Sequence, residues 1–304
     1  MSHNSSETSS AGHKLGLLIG DWFEQYFVLP LLSAAALKLQ LFLDNRFVER
    51  AARGDKIIWQ DEDGNSVDYD FVLEVNGTKT DKGVPVAFIE SFWRRGSRHS
   101  KDKARDDSGK LMPMRETYPT ARFLGIVAAG DFTVPARELV RSRDIDLFYI
   151  PKDKIVGAFT KNELIVDYFD NASEQDKQRV SSIFESHFSP EKKKAVADTL
   201  IELVGEAAVN SYVDRVRARL NALPQEIRLI LRQESTPLVF RSLTEVSDFL
   251  DNSTFHMEDP QSSYIYQITY SDGTDFGRNV HSTEDLRLLH AQIQLLADHI
   301  NKLE

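Results

Sequence analysis

Cysteine is absent from the 304-residue sequence, which excludes disulfide bonds, thiolate nucleophiles and thiolate zinc sites and is typical of the reducing cytoplasm. No apolar run approaches the roughly 18 residues that a membrane span requires. The opening MSHNSSETSSAGH also lacks an apolar core of signal-peptide length. We therefore expect a cytoplasmic protein that makes no membrane contact, with a disordered tail over residues 1–14.

Basic residues are fewer than acidic ones, with 37 Lys and Arg against 47 Asp and Glu and a formal net charge of -10. Because neutralising phosphates demands Lys and Arg, this balance argues against nucleic-acid binding over the whole surface and leaves room for a local patch. The sequence also lacks GxxxxGK[ST], GxGxxG after a strand, GxSxG and HExxH. A nucleotide-driven motor is therefore not expected.

What is present is an alternation of helical and strand-like segments. GLLIGDWFEQYFVLPLLSAAALKLQ predicts a helix from Leu15 that Pro30 kinks or divides. DKIIWQDEDGNSVDYDFVLEVNG predicts two strands around a turn, and GVPVAFIESFW predicts a third. A polar helical segment over residues 96–115 then leads to strand ARFLGIVAAGDF, helix PARELVRSRD and strand IDLFYIP. The resulting order is α-β-β-β-α-β-α-β, an α/β fold with a mixed sheet flanked by helices.

The chain is long enough, with 41% hydrophobic residues, to bury two cores. We predict an α/β domain over residues 15–170, a helical connector over 171–222 with one long helix from Pro190 to Leu220, and a small α/β module over 223–304. In that module FRSLTEVSDFL and VHSTEDLRLLH each contain a capping box after strand-like sequence. This repeat predicts two β-β-α units.

The run GVPVAFIESFWRR ends an apolar strand with Glu90 beside positive charge. Since a buried carboxylate is costly unless it is paired or binds a cation, Glu90 is the first candidate for a functional residue. Alternation in SVDYDFVLEV places Asp70 on one face, where it can stand beside Glu90 if the strands are neighbours. Two carboxylates of this kind predict a site for Mg²⁺ or Mn²⁺. Asp68 and Glu74 share the face of Asp70, and we interpret both as structural.

These residues resemble the PD-(D/E)XK nuclease superfamily, whose core is α-β-β-β-α-β. The first helix of that core often holds a glutamate, one strand carries an aspartate and the next ends in Glu-x-Lys. Here GDWFE supplies Glu24, VDYDFV supplies Asp70 and VAFIES supplies Glu90. The resemblance implies a restriction-endonuclease-like core and a metal-dependent DNA endonuclease of bacterial restriction or defence type. Asp70 and Glu90 would then be the metal ligands.

The chain departs from the motif at the lysine position, which Phe92 occupies. Two explanations compete, because the cationic role has either moved or been lost. For a moved role we predict Lys103 as the replacement and Arg94 as a phosphate contact. A basic run after the motif could form a track for DNA phosphates or be an ordinary solvated helix face. Its members are Arg94, Arg95, Arg98, Lys101, Lys103 and Arg105, of which the first five would line the track.

Two other functions stay open. The first is a catalytically inactive nuclease-fold protein that binds nucleic acid or acts as a scaffold, and the second is an oligomeric interaction protein organised by the C-terminal module. Because cutting both strands of a duplex usually takes two active sites, we expect a homodimer whose interface lies after residue 170. A partner protein could supply specificity. A DNA-reading role for the C-terminal module would use Arg228, Arg232 and Arg241.

Overall fold

The computed structural model of the chain describes residues 11–169, 171–231, 237–252 and 264–303. Residues 1–10 of the predicted tail, the predicted boundary at residue 170 and Arg232 lie outside the described residues. The helical elements are α1 (Ala11–Trp22), a π-helical segment (Phe23–Val28), α2 (Leu29–Lys38), α3 (Ser100–Thr117), α4 (Val134–Arg141), α5 (Lys152–Lys161), α6 (Glu174–His187), α7 (Pro190–Val204), α8 (Glu206–Asn221), α9 (Leu243–Asn252) and α10 (Thr283–Asn301). The strands are β1 (Phe42–Asn45), β2 (Ile57–Gln60), β3 (Ser66–Tyr69), β4 (Phe71–Val75), β5 (Val84–Arg94), β6 (Phe123–Gly130), β7 (Asp146–Pro151), β8 (Pro224–Leu231), β9 (Leu238–Phe240), β10 (Tyr264–Tyr270) and β11 (Asp275–Val280).

The N-terminal helix begins at Ala11, earlier than predicted, and Pro30 does not divide it. A π-helical turn precedes the proline, and the N–H of Leu29 donates to the carbonyl of Glu24, five residues back along the chain. A widened turn of this kind accommodates the missing proline N–H and the bulk of its ring without ending the helix. Glu24 therefore lies in a π-helical turn, a feature that is frequent at functional sites.

The stretch Ala11–Lys38 is 28 residues long and has a window of mean hydropathy 1.2, so length and composition alone would allow it to cross a membrane. One side of it is nevertheless packed in the protein interior, where Leu15, Ile19, Trp22 and Phe23 are buried. In this structure it is a core helix, as is usual for an apolar helix in an α/β domain.

The main sheet has five strands in the order β1-β4-β5-β6-β7. β1 and β4 are antiparallel, with Phe42 opposite Glu74, whereas β6 and β7 are parallel, with Gly125 opposite Asp146. The prediction of an α/β fold with a mixed sheet is therefore confirmed. All residues of β4 and β6 are buried. β6 is accordingly a continuous apolar run, whereas β4 also carries the buried Glu74.

The first part of the predicted three-strand meander is different in the structure. β2 and β3 pair with each other in a separate two-stranded sheet, with Ile57 opposite Tyr69. β1, which the sequence did not predict, is the edge strand next to β4. The stretch SVDYDFVLEV is not one strand, because β3 ends at Tyr69 and β4 starts at Phe71. Burial changes at the same point, from partly exposed β3 to fully buried β4.

The chain divides into two compact units. The first unit comprises residues up to Ala34, Ile89–Lys110 and Gly125–Val213, and the second comprises Ala35–Phe88, Leu111–Leu124 and Asp214 onwards. The boundary between them interrupts β5, α3 and β6, so each unit is built from several separate stretches of chain.

The predicted long helix from Pro190 to Leu220 is two helices. Gly205, with φ of +96°, ends α7, and α8 starts at the next residue. A positive φ suits glycine because it has no Cβ to clash with the following carbonyl. The helices of this region also contribute to the core of the first unit. Trp22 donates from Nε1 to the carbonyl of Lys193 at 2.9 Å, and the rings of Phe159 and Phe184 are 5.6 Å apart.

The C-terminal part of the second unit is a four-stranded antiparallel sheet in the order β11-β10-β8-β9, with α9 and α10. Along the chain its elements run β8-β9-α9-β10-β11-α10, which is two β-β-α units in succession. Both predicted helix N-caps are present. Ser242 accepts the N–H of Glu245 at 3.1 Å, and Ser282 accepts the N–H of Asp285 at 2.9 Å.

Candidate functional site

Glu90 lies near the end of β5, in a strand whose residues are buried from Pro85 to Trp93. The residue is 1% exposed, and Phe92, two positions further on the same face, is 6% exposed. Lys110 of α3 donates from Nζ to Oε2 of Glu90 at 3.1 Å. The site is therefore built on a strand and on the helix that follows it along the chain.

A second ion pair on α3 lies one helical turn before Lys110. Lys103 donates from Nζ to Oδ1 of Asp107 at 2.6 Å, and Asp107 is fully buried. The same ammonium group lies 5.3 Å from the centroid of the Phe92 ring. Since Lys103, Asp107 and Lys110 are spaced by one turn each, they share a side of the helix. That side of α3 covers the face of β5 that carries Glu90 and Phe92.

The two pairs differ in their exposure to solvent. The Glu90 side chain is 2% exposed, while that of Lys110 is 39% exposed. Asp107 is 1% exposed and Lys103 is 21% exposed. Each buried carboxylate thus has an ammonium partner that reaches the surface. Because burying charge carries a desolvation penalty, buried ion pairs give little evidence of a stabilising role, and clusters of them are candidates for functional sites.

The other predicted site residues lie in different parts of the fold. Glu24 is half-buried in the π-helical segment of the first unit, and Arg94 is exposed at the end of β5. Asp70 belongs to the second unit and is half-buried between β3 and β4. It directly precedes β4, the strand that neighbours β5 in the main sheet.

Two members of the predicted phosphate track are engaged within the protein. Arg95 donates to Asp167 at 3.2 Å and to the carbonyl of Tyr168 at 2.9 Å. Burial of the Asp167 carboxyl opposes ionisation, but bonds from Lys152 and Arg95 outweigh it and hold the pKa of Asp167 below its usual value. Lys103 is held by Asp107. The exposed members of the track are Arg94, Arg98 and Lys101.

Asp68 and Glu74, which were predicted to be structural, both make hydrogen bonds within the protein. Asp68 accepts the backbone N–H of Ile57 at 3.0 Å across the β2–β3 hairpin. Glu74 is fully buried and accepts two hydrogen bonds from Arg50, at 2.6 and 2.8 Å.

Lys110 is the site residue that sequence reasoning did not find. Lys110 lies five residues beyond Arg105, the last member of the dense basic run. The available signal was helical spacing, since a lysine two turns after Lys103 lies on the same side of the predicted helix.

The described residues contain no group of three or more His, Asp or Glu side chains placed to hold a metal ion. Mg²⁺ has a smaller requirement, because it usually binds through one or two carboxylates and completes its shell with water and substrate phosphates. The carboxylate of Glu90 is the type of donor that such a cation prefers.

No protein-family model matches this chain, and no curated protein or solved structure is significantly similar to it. The function of the chain is therefore inferred from its own residues and geometry.

Proposed function

We propose that this protein is a metal-dependent endonuclease that hydrolyses DNA phosphodiester bonds on a restriction-endonuclease-like core. The observation that carries the proposal is the contact between buried Glu90 and Lys110, on a strand and the helix that follows it. The element order supports it. If the β2–β3 hairpin is taken as an insertion, the N-terminal helix, β1, β4, β5, α3 and β6 follow the order α-β-β-β-α-β.

Lys110 is our choice for the role of the motif lysine that Phe92 cannot perform. Its ammonium contacts the candidate metal ligand directly, and its side chain is exposed enough to reach a substrate phosphate. A lysine in that position can orient the attacking water and offset negative charge that develops on the phosphate. Lys103, the residue predicted from sequence, bonds to Asp107 and lies over the Phe92 ring, so it ranks second.

In this proposal Glu90 is a ligand of a Mg²⁺ or Mn²⁺ ion, and the resemblance implies Asp70 as the second ligand. Such an ion, when bound, lowers the pKa of a coordinated water and stabilises the charged transition state of phosphodiester hydrolysis. The chain's own residues bind and orient the DNA. Arg94 is exposed at the end of β5, four residues after Glu90, and it stays protonated, so it suits a contact to phosphate. Glu24 is retained as a further acidic residue of the site.

The test is incubation of the full chain with supercoiled plasmid, with and without Mg²⁺ or Mn²⁺. We expect cleavage only with metal, and Glu90→Gln and Asp70→Asn should each lower the rate by about 100-fold or more. Lys110→Ala should lower it by a similar factor, and Lys103→Ala by less than about tenfold. Arg105→Ala is the matched control, because Arg105 is exposed on the same helix and pairs only at the surface with Asp102. Equal rates for Glu90→Gln and the parent would refute the site.

Phe92 at the motif lysine position supports a second candidate, a nuclease fold that binds nucleic acid without cutting it. In that case the parent protein would bind DNA and show no metal-dependent nicking at any enzyme concentration, while Glu90→Gln would bind equally well. An oligomeric interaction protein of the third kind would bind neither DNA nor metal.

A homodimer is part of the proposal, since two active sites are needed to cut both strands at one place. The predicted interface lies mainly after residue 170, where α6 and α7 each bury one side in the first unit and the C-terminal sheet and its helices offer further surface. The full chain should sediment as a dimer at micromolar concentration. If the full chain is a monomer that only nicks the plasmid, the proposed dimer is wrong, but the proposed active site is not contradicted.

A further inference from the structure

The second unit contains a cavity of about 740 Å³ around the β2–β3 hairpin. Its walls come from the hairpin itself, the loop before it, the loop between β4 and β5, and the end of α3. The residues that line it include Arg53, Lys56, Ile58, Trp59, Lys82 and Tyr118. A cavity of this size is in the range that accommodates a small organic ligand.

One wall of the cavity is aromatic and firmly held. The rings of Trp59 and Tyr118 are 5.5 Å apart at an angle of 89°, and Phe88 packs behind Trp59 at 5.8 Å. The hydroxyl of Tyr118 donates to the carbonyl of Gln60 at 2.9 Å, which fixes the ring against the hairpin. Ile58, 39% exposed, adds an apolar surface that faces solvent. Such walls suit a flat, partly apolar ring.

The cavity is also rich in cationic groups, in a protein with a net charge of -10. Lys82 donates to the carbonyl of Ile58 at 2.7 Å and lies 4.9 Å from the Trp59 ring centroid. In the part of the chain that the structure describes, no carboxylate pairs with Lys82. Lys56 is 3.7 Å from Asp68 in an exposed and therefore weak pair. Arg53 is neutralised by Asp44, and exposed Asp55 is the acidic lining residue.

We propose that this cavity binds a nucleotide, with the base against the wall of Ile58, Trp59 and Tyr118 and the phosphate between Lys56 and Lys82. A base offers a flat ring, and a phosphate matches the two lysines. The source of the nucleotide is either a free mononucleotide or one unit of a single strand. The site uses none of the residues around Glu90 and does not depend on the nuclease proposal.

The test is calorimetric titration of the full chain, in buffer with EDTA so that no cleavage occurs. The probes are dTMP, dAMP, inorganic phosphate and an oligothymidylate. We expect binding of at least one mononucleotide or of the oligonucleotide, with phosphate alone binding at least about tenfold more weakly. Binding of dTMP or dAMP identifies a free nucleotide as sufficient, and binding of the oligonucleotide alone identifies a strand. Either result supports the site.

Variants locate the binding. Lys56→Gln with Lys82→Gln should weaken it by at least about tenfold, whereas Lys79→Gln, a control lysine exposed in the loop that carries Lys82, should change it less than about twofold. Nucleotide should change the emission of Trp59, one of three tryptophans, and Trp59→Phe should abolish that change. The proposal is overturned if no probe binds at millimolar concentration, if phosphate binds as tightly as nucleotide, or if the double lysine variant binds like the parent.

Discussion

Arg50 should be among the most important single residues for the stability of the second unit. Its guanidinium donates to Asp44 at 2.6 Å and to Glu74 at 2.6 and 2.8 Å, and these three side chains are at most 2% exposed. It also donates to the carbonyls of Thr78 and Asp81 in the loop between β4 and β5. One side chain thus ties β1, β4 and that loop together.

The cost of Arg50→Met follows from what each partner keeps. Asp44 retains Arg53, whose Nε is 2.9 Å from Oδ1, and the two loop carbonyls can bond to water. Glu74 retains one backbone N–H, from Gly83 at 2.6 Å, and would otherwise be a buried charge without its cation. Breaking a buried pair from one side costs about 3–5 kcal/mol. This is a large share of the roughly 5–15 kcal/mol by which domains are stable.

Urea unfolding measures this loss directly. Arg50→Met should lower the free energy of unfolding by about 4 kcal/mol, and Arg46→Met, the exposed control, by less than about 1 kcal/mol. The double variant Arg50→Met with Glu74→Leu should lose at least about 2 kcal/mol less than the sum of the single variants, because the charge has been removed with its partner. If Arg50→Met is no worse than Arg46→Met, or if the losses simply add, the ion cluster does not stabilise the unit as argued.

Three further outcomes are expected. Gly130→Ala should prevent folding or destabilise the first unit by more than about 3 kcal/mol, because φ is +103° and the new Cβ would meet the carbonyl at the end of β5. The control Gly16→Ala, which has open space in α1, should be neutral or slightly stabilising in thermal unfolding. Burial lowers the pKa of His290 below its usual 6.5, so the unfolded state binds a proton that the folded state does not. The free energy of unfolding should therefore be highest above about pH 6.5 and fall as the pH drops below that value, and it should fall less in His290→Gln. When the exposed residues Arg94, Arg98 and Lys101 are changed together to alanine, DNA affinity should depend less steeply on salt concentration. An unchanged slope would mean that these side chains do not contact DNA.

The parts of the fold that sequence predicted are those with a strong local signal. The strands that became β5, β6 and β7 are apolar runs bounded by turn residues, and the N-caps at Ser242 and Ser282 depend on neighbours three residues away. Each of these patterns is complete within a short stretch of chain, so no knowledge of distant contacts is needed to recognise it.

The parts that sequence did not predict depend on tertiary contacts. β1 is four residues long and is half-buried against β4 alone, so its alternation is too short to stand out. The break at Asp70 falls inside an alternating pattern that either one strand or two could produce. Gly205 interrupts a stripe of apolar residues that continues on both sides, and only its positive φ separates α7 from α8. The role of Lys110 could not be predicted for the same reason, because its contact with Glu90 depends on how α3 packs over β5.

The relation between Phe92 and Lys110 can be tested by moving the lysine back. Residues two apart on a strand are separated by about 7 Å, and a lysine at position 92 would project from the same face as Glu90. If the cation is what the site requires, then Phe92→Lys should restore part of the cleavage that Lys110→Ala removes. Lys103 would interfere with a lysine at position 92, because its ammonium lies over the Phe92 ring.

The rescue therefore needs a third substitution. In Phe92→Lys with Lys110→Ala, two ammonium groups would compete for the space beside Asp107, and we expect recovery of less than about tenfold because like charges at short range repel. Adding Lys103→Ala removes the competitor and should raise the plasmid-cleavage rate by about tenfold or more over Lys110→Ala alone. Urea unfolding of each variant controls for stability. A triple variant that is folded, binds DNA and remains as inactive as Lys110→Ala would mean that Lys110 acts through its position on α3 and not as a substitute for the motif lysine.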